Sequence, residues 1–86
     1  MKNVHDFIKV HNKDDKNATH HEIEIHSNDE PHKGKVIKYF DKIDEKEVTK
    51  GNNSIYKDKT KSRLLIPRNA IELKTLIDDL SVILNS

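Results

Sequence analysis

The C-terminal segment places the strongest constraint on how this chain can fold, because its apolar residues follow a helical period. They recur at spacings of three and four and form one wide stripe: Ala70, Leu73, Leu76, Ile77, Leu80, Ile83 and Leu84. Asn69 is a favourable N-cap, and Glu72 three residues later completes a pattern like a capping box. The segment therefore predicts an amphipathic helix whose apolar stripe must be covered by a second layer.

Four segments ahead of this helix have the pattern of short strands. In His20–Ser27 the isoleucines alternate with charged residues, a period of two. Lys35–Phe40 and Ser62–Ile66 are rich in strand-forming residues, and Val4–Val10 is ambiguous between a strand and one helical turn, with the strand favoured. We therefore predict an α+β fold in which a small antiparallel sheet of about four strands precedes one C-terminal helix, in the order β-β-β-β-α.

The 86 residues suffice for a single small domain, and within it the stretch 41–60 is the least regular. It is polar and highly charged, and Gly51–Ser54 is an evident turn. A structureless loop of this length is uncommon in so small a domain. We predict a protruding hairpin or a flexible loop, with Ile55 and Tyr56 in one arm.

Composition limits the core and excludes several classes of protein. Apolar residues make up 33% of the chain against 36% charged ones, which leaves little material for a buried catalytic cavity. The stripe of the C-terminal helix is broader than one sheet face needs, so a homodimer joined helix to helix or edge to edge is favoured. No apolar run is long enough for a membrane span, and the absence of an apolar leader predicts a cytoplasmic location.

Residues with catalytic or metal-binding chemistry are not arranged for either task. The chain has no cysteine, its serines lie in no nucleophile motif, and no glycine-rich phosphate loop occurs. Neighbours along one strand face diverge too far to converge on a metal ion, and this applies to His20, Glu22, Glu24 and His26. His21 points to the opposite face, and we interpret it as a boundary histidine with a satisfied ring. We predict no enzyme, no cofactor and no metal site.

The net charge is only +1, but the basic residues are concentrated in one segment. From Lys50 to Arg68, six basic residues stand against the single acid Asp58. In a strand, alternate residues project from one face about 7 Å apart, a repeat that suits the phosphates of an extended single strand. The four that alternate are Lys57, Lys59, Lys61 and Arg63. Tyr56 lies beside them and offers a ring on which a base can stack.

The predicted order of elements and two short stretches resemble the positive-cofactor-four family of transcriptional coactivators. The stretches are Lys33-Gly34-Lys35-Val36, at the predicted third strand, and Arg63-Leu64-Leu65-Ile66 leading to Leu73-Lys74-Thr75-Leu76-Ile77-Asp78-Asp79. This chain has no tryptophan, and it carries Lys61-Ser62-Arg63 where the family has a basic residue with glycine. The resemblance implies a dimer that binds single-stranded DNA through a curved sheet and a hairpin. The positions that match the family's basic and aromatic contacts are Lys35, Lys38, Tyr39, Lys61 and Arg63.

Two functions of different classes follow from these observations. The first is a module that binds single-stranded nucleic acid, in transcription or replication, through a basic hairpin and a sheet face. Its predicted contacts are Lys35, Lys38, Tyr39, Tyr56, Lys57, Lys59, Lys61 and Arg63, and its core or dimer helix presents Leu73, Leu76, Ile77, Leu80, Ile83 and Leu84. The alternative is a small phage or mobile-element protein that binds and inhibits a host protein and binds no nucleic acid. The two differ in whether the face from Lys57 to Arg63 is open or is neutralised by the protein's own carboxylates.

Overall fold

A computed structural model describes residues 2–51, 56–57 and 62–86 of the chain. Its elements, in chain order, are a short 3-10 helix (Val4–Asp6), β1 (Ile8–Val10), β2 (His20–Ile25), α1 (Glu30–Thr49), β3 (Tyr56–Lys57), β4 (Arg63–Pro67) and α2 (Leu73–Leu84). The predicted α+β class is confirmed. The order β-β-β-β-α is wrong, because a second long helix lies between β2 and β3.

The sheet is antiparallel throughout, and its strands lie in the order β1-β2-β4-β3. β2 and β4 form its centre, in a register that puts Ile23 opposite Leu64 and Glu24 opposite Arg63. β3 has only two residues, so β1, β2 and β4 make up most of the sheet. The segments predicted as the first, second and fourth strands do contain strands, with shifted or shorter bounds.

α1 stands where the third strand was predicted. It includes Lys35–Phe40 and also 41–49, which is nearly half of the stretch predicted as a hairpin or loop. Pro31 lies in its first turn, where the missing backbone N–H has no helical partner to lose. Val36 and Phe40 are one turn apart and fully buried. The strand prediction was wrong because consecutive β-forming residues concealed this helical spacing.

The rest of the predicted hairpin is only partly described. Lys50 and Gly51 form a turn after α1, and Gly51 has a φ of 81°, a left-handed conformation that favours glycine. Tyr56–Lys57 pairs antiparallel with β4. Residues 52–55 and 58–60 of this stretch lie outside the described residues.

Both helices pack on one face of the sheet and enclose a single core. The strands contribute Ile8, Ile23, Ile25, Leu64 and Ile66, and the helices contribute Val36, Phe40, Leu76, Leu80 and Leu84. α1 also contacts α2. It therefore covers part of the apolar stripe of α2, which was predicted to be covered by the sheet or by a second copy of the chain. The opposite face of the sheet is covered by none of the elements in the described part of the chain.

α2 begins at Leu73 with Glu72 as its N-cap, so the predicted N-cap Asn69 is wrong. The buried His21 on β2 donates from Nε2 to the carbonyl of Ile71 over 2.8 Å. This carbonyl is therefore bonded to a side chain of the sheet, and the helix starts after it. The ring of His21 thus has a hydrogen-bond partner within the protein, as predicted for a histidine at the boundary of the core.

Candidate interaction surface

The uncovered face of the sheet brings together charged side chains from β2, β4 and the end of β1. Alternation along the strands puts Glu22, Glu24 and Arg63 on this face. NH1 of Arg63 donates to Oε1 of Glu24 over 3.1 Å, and its NH2 lies 3.4 Å from Oε1 of Glu22. His11, just after β1, contacts the same Glu24 oxygen through Nε2 over 2.6 Å. We call these four residues the open-face cluster.

The donors of the open-face cluster converge on one acceptor. Nε2 of His11 and NH1 of Arg63 lie 2.9 Å apart and share Oε1 of Glu24. Because a carboxylate accepts and does not donate, the contact between Nε2 of His11 and Glu24 requires the tautomer with a proton on Nε2, and NH1 of Arg63 then donates to Glu24 rather than to His11. The hydrogen bond from His11 is the largest cause that lowers the pKa of Glu24; desolvation opposes it, and the charges of His11 and Arg63 add to it. These contacts therefore favour the carboxylate form of Glu24.

The charged side chains described on the uncovered face balance one another. The register puts Lys9 opposite Glu24, and Glu24 opposite Arg63. Among the described side chains of β1, β2 and β4 on this face, two cations, Lys9 and Arg63, thus stand against two anions, Glu22 and Glu24. Arg63 was predicted to contact nucleic acid, but its guanidinium is bound by the protein's own carboxylates. A phosphate would have to displace both of them.

The other residues predicted to bind nucleic acid lie elsewhere. Lys35 and Lys38 are exposed on α1, which packs on the opposite face of the sheet from Arg63. Tyr56–Lys57 forms β3 at one edge of the sheet. Lys59 and Lys61 lie outside the described residues. The thickness of the sheet therefore separates the two lysines of α1 from Arg63.

Tyr39 lies between the two helices rather than on a binding face. Its hydroxyl donates to Oδ2 of Asp79 on α2 over 2.7 Å, and its ring centre is 5.4 Å from that of Phe40. Burial, followed by the bond to Asp79, raises the pKa of this phenol well above its usual value. The half-buried ring joins α1 to α2, so Tyr39 is not positioned to stack on a base as predicted.

α1 carries an exposed row of basic residues, which we call the lysine flank. Lys35, Lys38, Lys42 and Lys46 follow one another at spacings of three and four, so they lie on one side of the helix. At 1.5 Å per residue the row is about 16 Å long. None of the four has an ion pair with another described residue. Their spacing is visible in the sequence, but the strand predicted over Lys35–Phe40 concealed it.

A second charged cluster fastens the N-terminus to the start of α1. Oδ2 of Asp29 accepts from Nζ of Lys2 over 2.8 Å and lies 2.7 Å from Nδ1 of His32. The bond from Lys2 is the main cause that lowers the pKa of Asp29, and His32 adds to it. The sequence did not indicate this contact, because Lys2 and Asp29 are 27 positions apart. The contact joins Lys2 to the N-cap and the first turn of α1.

No protein-family model, no curated protein and no solved structure matches the chain. The resemblance to the positive-cofactor-four family therefore stays a prediction, and Lys33–Val36, which carried part of it, lies in α1.

Within the described ranges, no group of three or more histidine, aspartate or glutamate side chains could hold a metal ion. No described helix is long and apolar enough to cross a membrane.

Proposed function

We propose that this protein is a small protein-binding module, which acts by occupying a surface of another protein and does not bind nucleic acid through its sheet. The observation that carries this proposal is the pairing of Arg63 with Glu22 and Glu24. Neutralisation of the face from Lys57 to Arg63 by the protein's own carboxylates was the feature expected of the interaction module, and Arg63, the basic residue of that face whose side chain the structure describes, has it. The module is of the kind that phages and mobile elements direct against host proteins, and a cytoplasmic location belongs to the same proposal.

The character of the uncovered face supports binding to protein. It combines balanced charges with Leu65, an exposed apolar side chain. Interfaces between proteins mix apolar contacts with complementary charges in this way, whereas a nucleic-acid surface needs an excess of free cations. Because the helices occupy only the other face, a partner can approach this one directly.

A titration with an oligonucleotide tests the proposal. Fluorescence anisotropy of a labelled single strand of about 20 bases is followed at low and physiological salt. We expect half-saturation above about 10 µM at physiological salt, because few counterions are released from a neutralised face. Submicromolar binding that weakens steeply with salt and is abolished by Arg63→Glu would overturn the proposal.

A matched pair of variants makes this test sharper. Glu22→Gln with Glu24→Gln releases Arg63, and we expect several-fold stronger oligonucleotide binding at low salt. Glu72→Gln with Asp78→Asn makes the same change of charge at exposed positions near α2. A similar gain in both double variants would show that only net charge matters and that the pairing of Arg63 does not.

Binding of single-stranded nucleic acid is a second candidate function, on a different surface. The lysine flank favours it, because it presents four exposed cations along about 16 Å of helix. In the same titration, Lys38→Glu with Lys42→Glu would then abolish binding while Arg63→Glu left it unchanged. With that result α1, and not the predicted sheet face, would be the nucleic-acid contact.

A further inference from the structure

β1 is an edge strand whose outer side meets no partner among the described residues. Its inner side pairs with β2, where the carbonyl of Phe7 accepts over 3.1 Å and the N–H of His11 donates over 2.9 Å. Hydrogen bonds alternate along an antiparallel strand, so the backbone groups of Ile8 and Val10 point away from the sheet. These two residues therefore present N–H and C=O groups about 7 Å apart at a free edge.

A groove of about 490 Å³ borders this free edge. Its side chains are basic or titratable nitrogen groups around an apolar floor, and they come from His5, Ile8, Lys9, Val10, Lys13 and His26. None of the described residues that line the groove is acidic. An extended chain with carboxylate side chains would find both backbone partners and complementary charge here.

The positive charge at the β1 edge also indicates whether this edge pairs with a different protein or with a second copy of the chain. If two copies paired through β1, Lys9 and Lys13 of one chain would approach the same lysines of the other. Like charges on adjoining strands repel, and lysine on an edge strand is a known defence against such self-pairing. The edge therefore favours an acidic partner over a copy of itself.

We propose that the outer edge of β1 binds an extended, acidic segment of another protein, which adds a strand to the sheet. Hydrogen bonds to the backbone of Ile8 and Val10 would hold the segment, and Lys9 and Lys13 would select its acidic side chains. This binding rests on the proposed protein-binding function and gives the chemistry of its partner.

Titration with a synthetic peptide tests the proposal. The probe is a capped peptide of alternating threonine and glutamate, and its control is the same peptide with lysine in place of glutamate. Amide NMR spectra of the labelled protein report where the peptide binds. We expect saturable shifts with the acidic peptide, largest at Ile8 and Val10, and none with the basic peptide.

Two substitutions at one position separate the backbone contact from the side chain. Val10→Pro removes the outward N–H, and proline is tolerated where an edge N–H faces solvent. Val10→Ala shortens the side chain and keeps the N–H. We expect Val10→Pro to bind the acidic peptide about tenfold more weakly than Val10→Ala.

A second pair of variants tests the binding of an acidic segment at β1 even if Val10→Pro does not fold. Lys9→Glu with Lys13→Glu reverses the charge of the groove, and Lys16→Glu with Lys74→Glu makes the same change at exposed positions outside the groove and outside the lysine flank. Loss of peptide binding in the first pair alone supports the proposal. Equal binding in both pairs, shifts centred on another element, or no binding of the acidic peptide by the wild type overturns it. None of these results touches the protein-binding function itself, which the oligonucleotide titration tests.

Discussion

Glu24 is the acid on which the open-face cluster depends, because its Oε1 accepts from both His11 and Arg63. Its folded-state pKa is lowered from 4.5. A lowered pKa contributes stability above the unfolded value, and this contribution is lost as the pH falls through the folded value. We therefore expect the free energy of unfolding to decrease below pH 4.5 more steeply in the wild type than in Glu24→Gln.

Urea unfolding at a series of pH values between about 3 and 7 measures this difference. Glu45→Gln on the exposed side of α1 is the control for the loss of one carboxylate outside the open-face cluster. Identical curves for wild type and Glu24→Gln would show that the open-face cluster does not hold Glu24 in solution.

Arg63 shows how much a residue's surroundings depend on distant parts of the chain. Its exposure followed from the alternation Arg63-Leu64-Leu65-Ile66, in which Leu64 and Ile66 are buried. Its partners did not follow, because Glu24 lies 39 positions earlier. Only the register between β2 and β4 makes the two residues neighbours. A basic residue could be located from the sequence, but its neutralisation could not.

At the scale of elements, α1 is the main departure from the sequence prediction, and Gly34 tests it. Gly34 lies inside this helix, is exposed, and has no atom within 4 Å of the position that a β-carbon would take. We expect Gly34→Ala to increase the free energy of unfolding by about 0.5–1 kcal/mol, because alanine loses less backbone entropy in a helix. Urea unfolding measures it.

Gly51 provides the matched control for this substitution. It is equally free of contacts, but its φ of 81° is one that alanine adopts at a cost. Gly51→Ala should therefore destabilise the fold by about 1 kcal/mol. A loss of stability in Gly34→Ala would contradict a helical conformation at this position.

The apolar pattern of α1 was hard to recognise because a charged residue interrupts it. Val36 and Phe40 are buried one turn apart, Ile43 is partly buried, and the next residue on this side is Glu47. Glu47 is only 3% exposed, and its Oε1 lies 3.7 Å from Nζ of Lys50. A buried acid at the end of the stripe shortened the helical pattern to two turns. The run of β-forming residues then dominated the prediction.

At the scale of the whole molecule, the homodimer predicted from the width of the α2 stripe stays a prediction. The width of the stripe is now a weaker argument for a dimer, because α1 packs beside α2 within one chain and covers part of it. Val82 is the large apolar residue of α2 that remains mostly exposed. Sedimentation velocity gives the answer: a species of 10.0 kDa at all concentrations contradicts the dimer. A dimer that Val82→Lys dissociates would place its interface on α2.

By itself the sequence determined β2, β4 and α2, because a period of two or of 3.6 shows which side of an element is apolar without knowledge of its neighbours. It also determined the α+β class and the antiparallel sheet. Only the tertiary structure decided that residues 30–49 form a helix, that α2 starts after the bond from His21 to Ile71, and that Arg63 is neutralised. The α2 start and the pairing of Arg63 each depend on a contact between residues distant in the chain. The helix at 30–49 depends on packing against α2 and the sheet. The local pattern determines which side of an element is apolar, whereas packing and strand register determine which residues that side contacts.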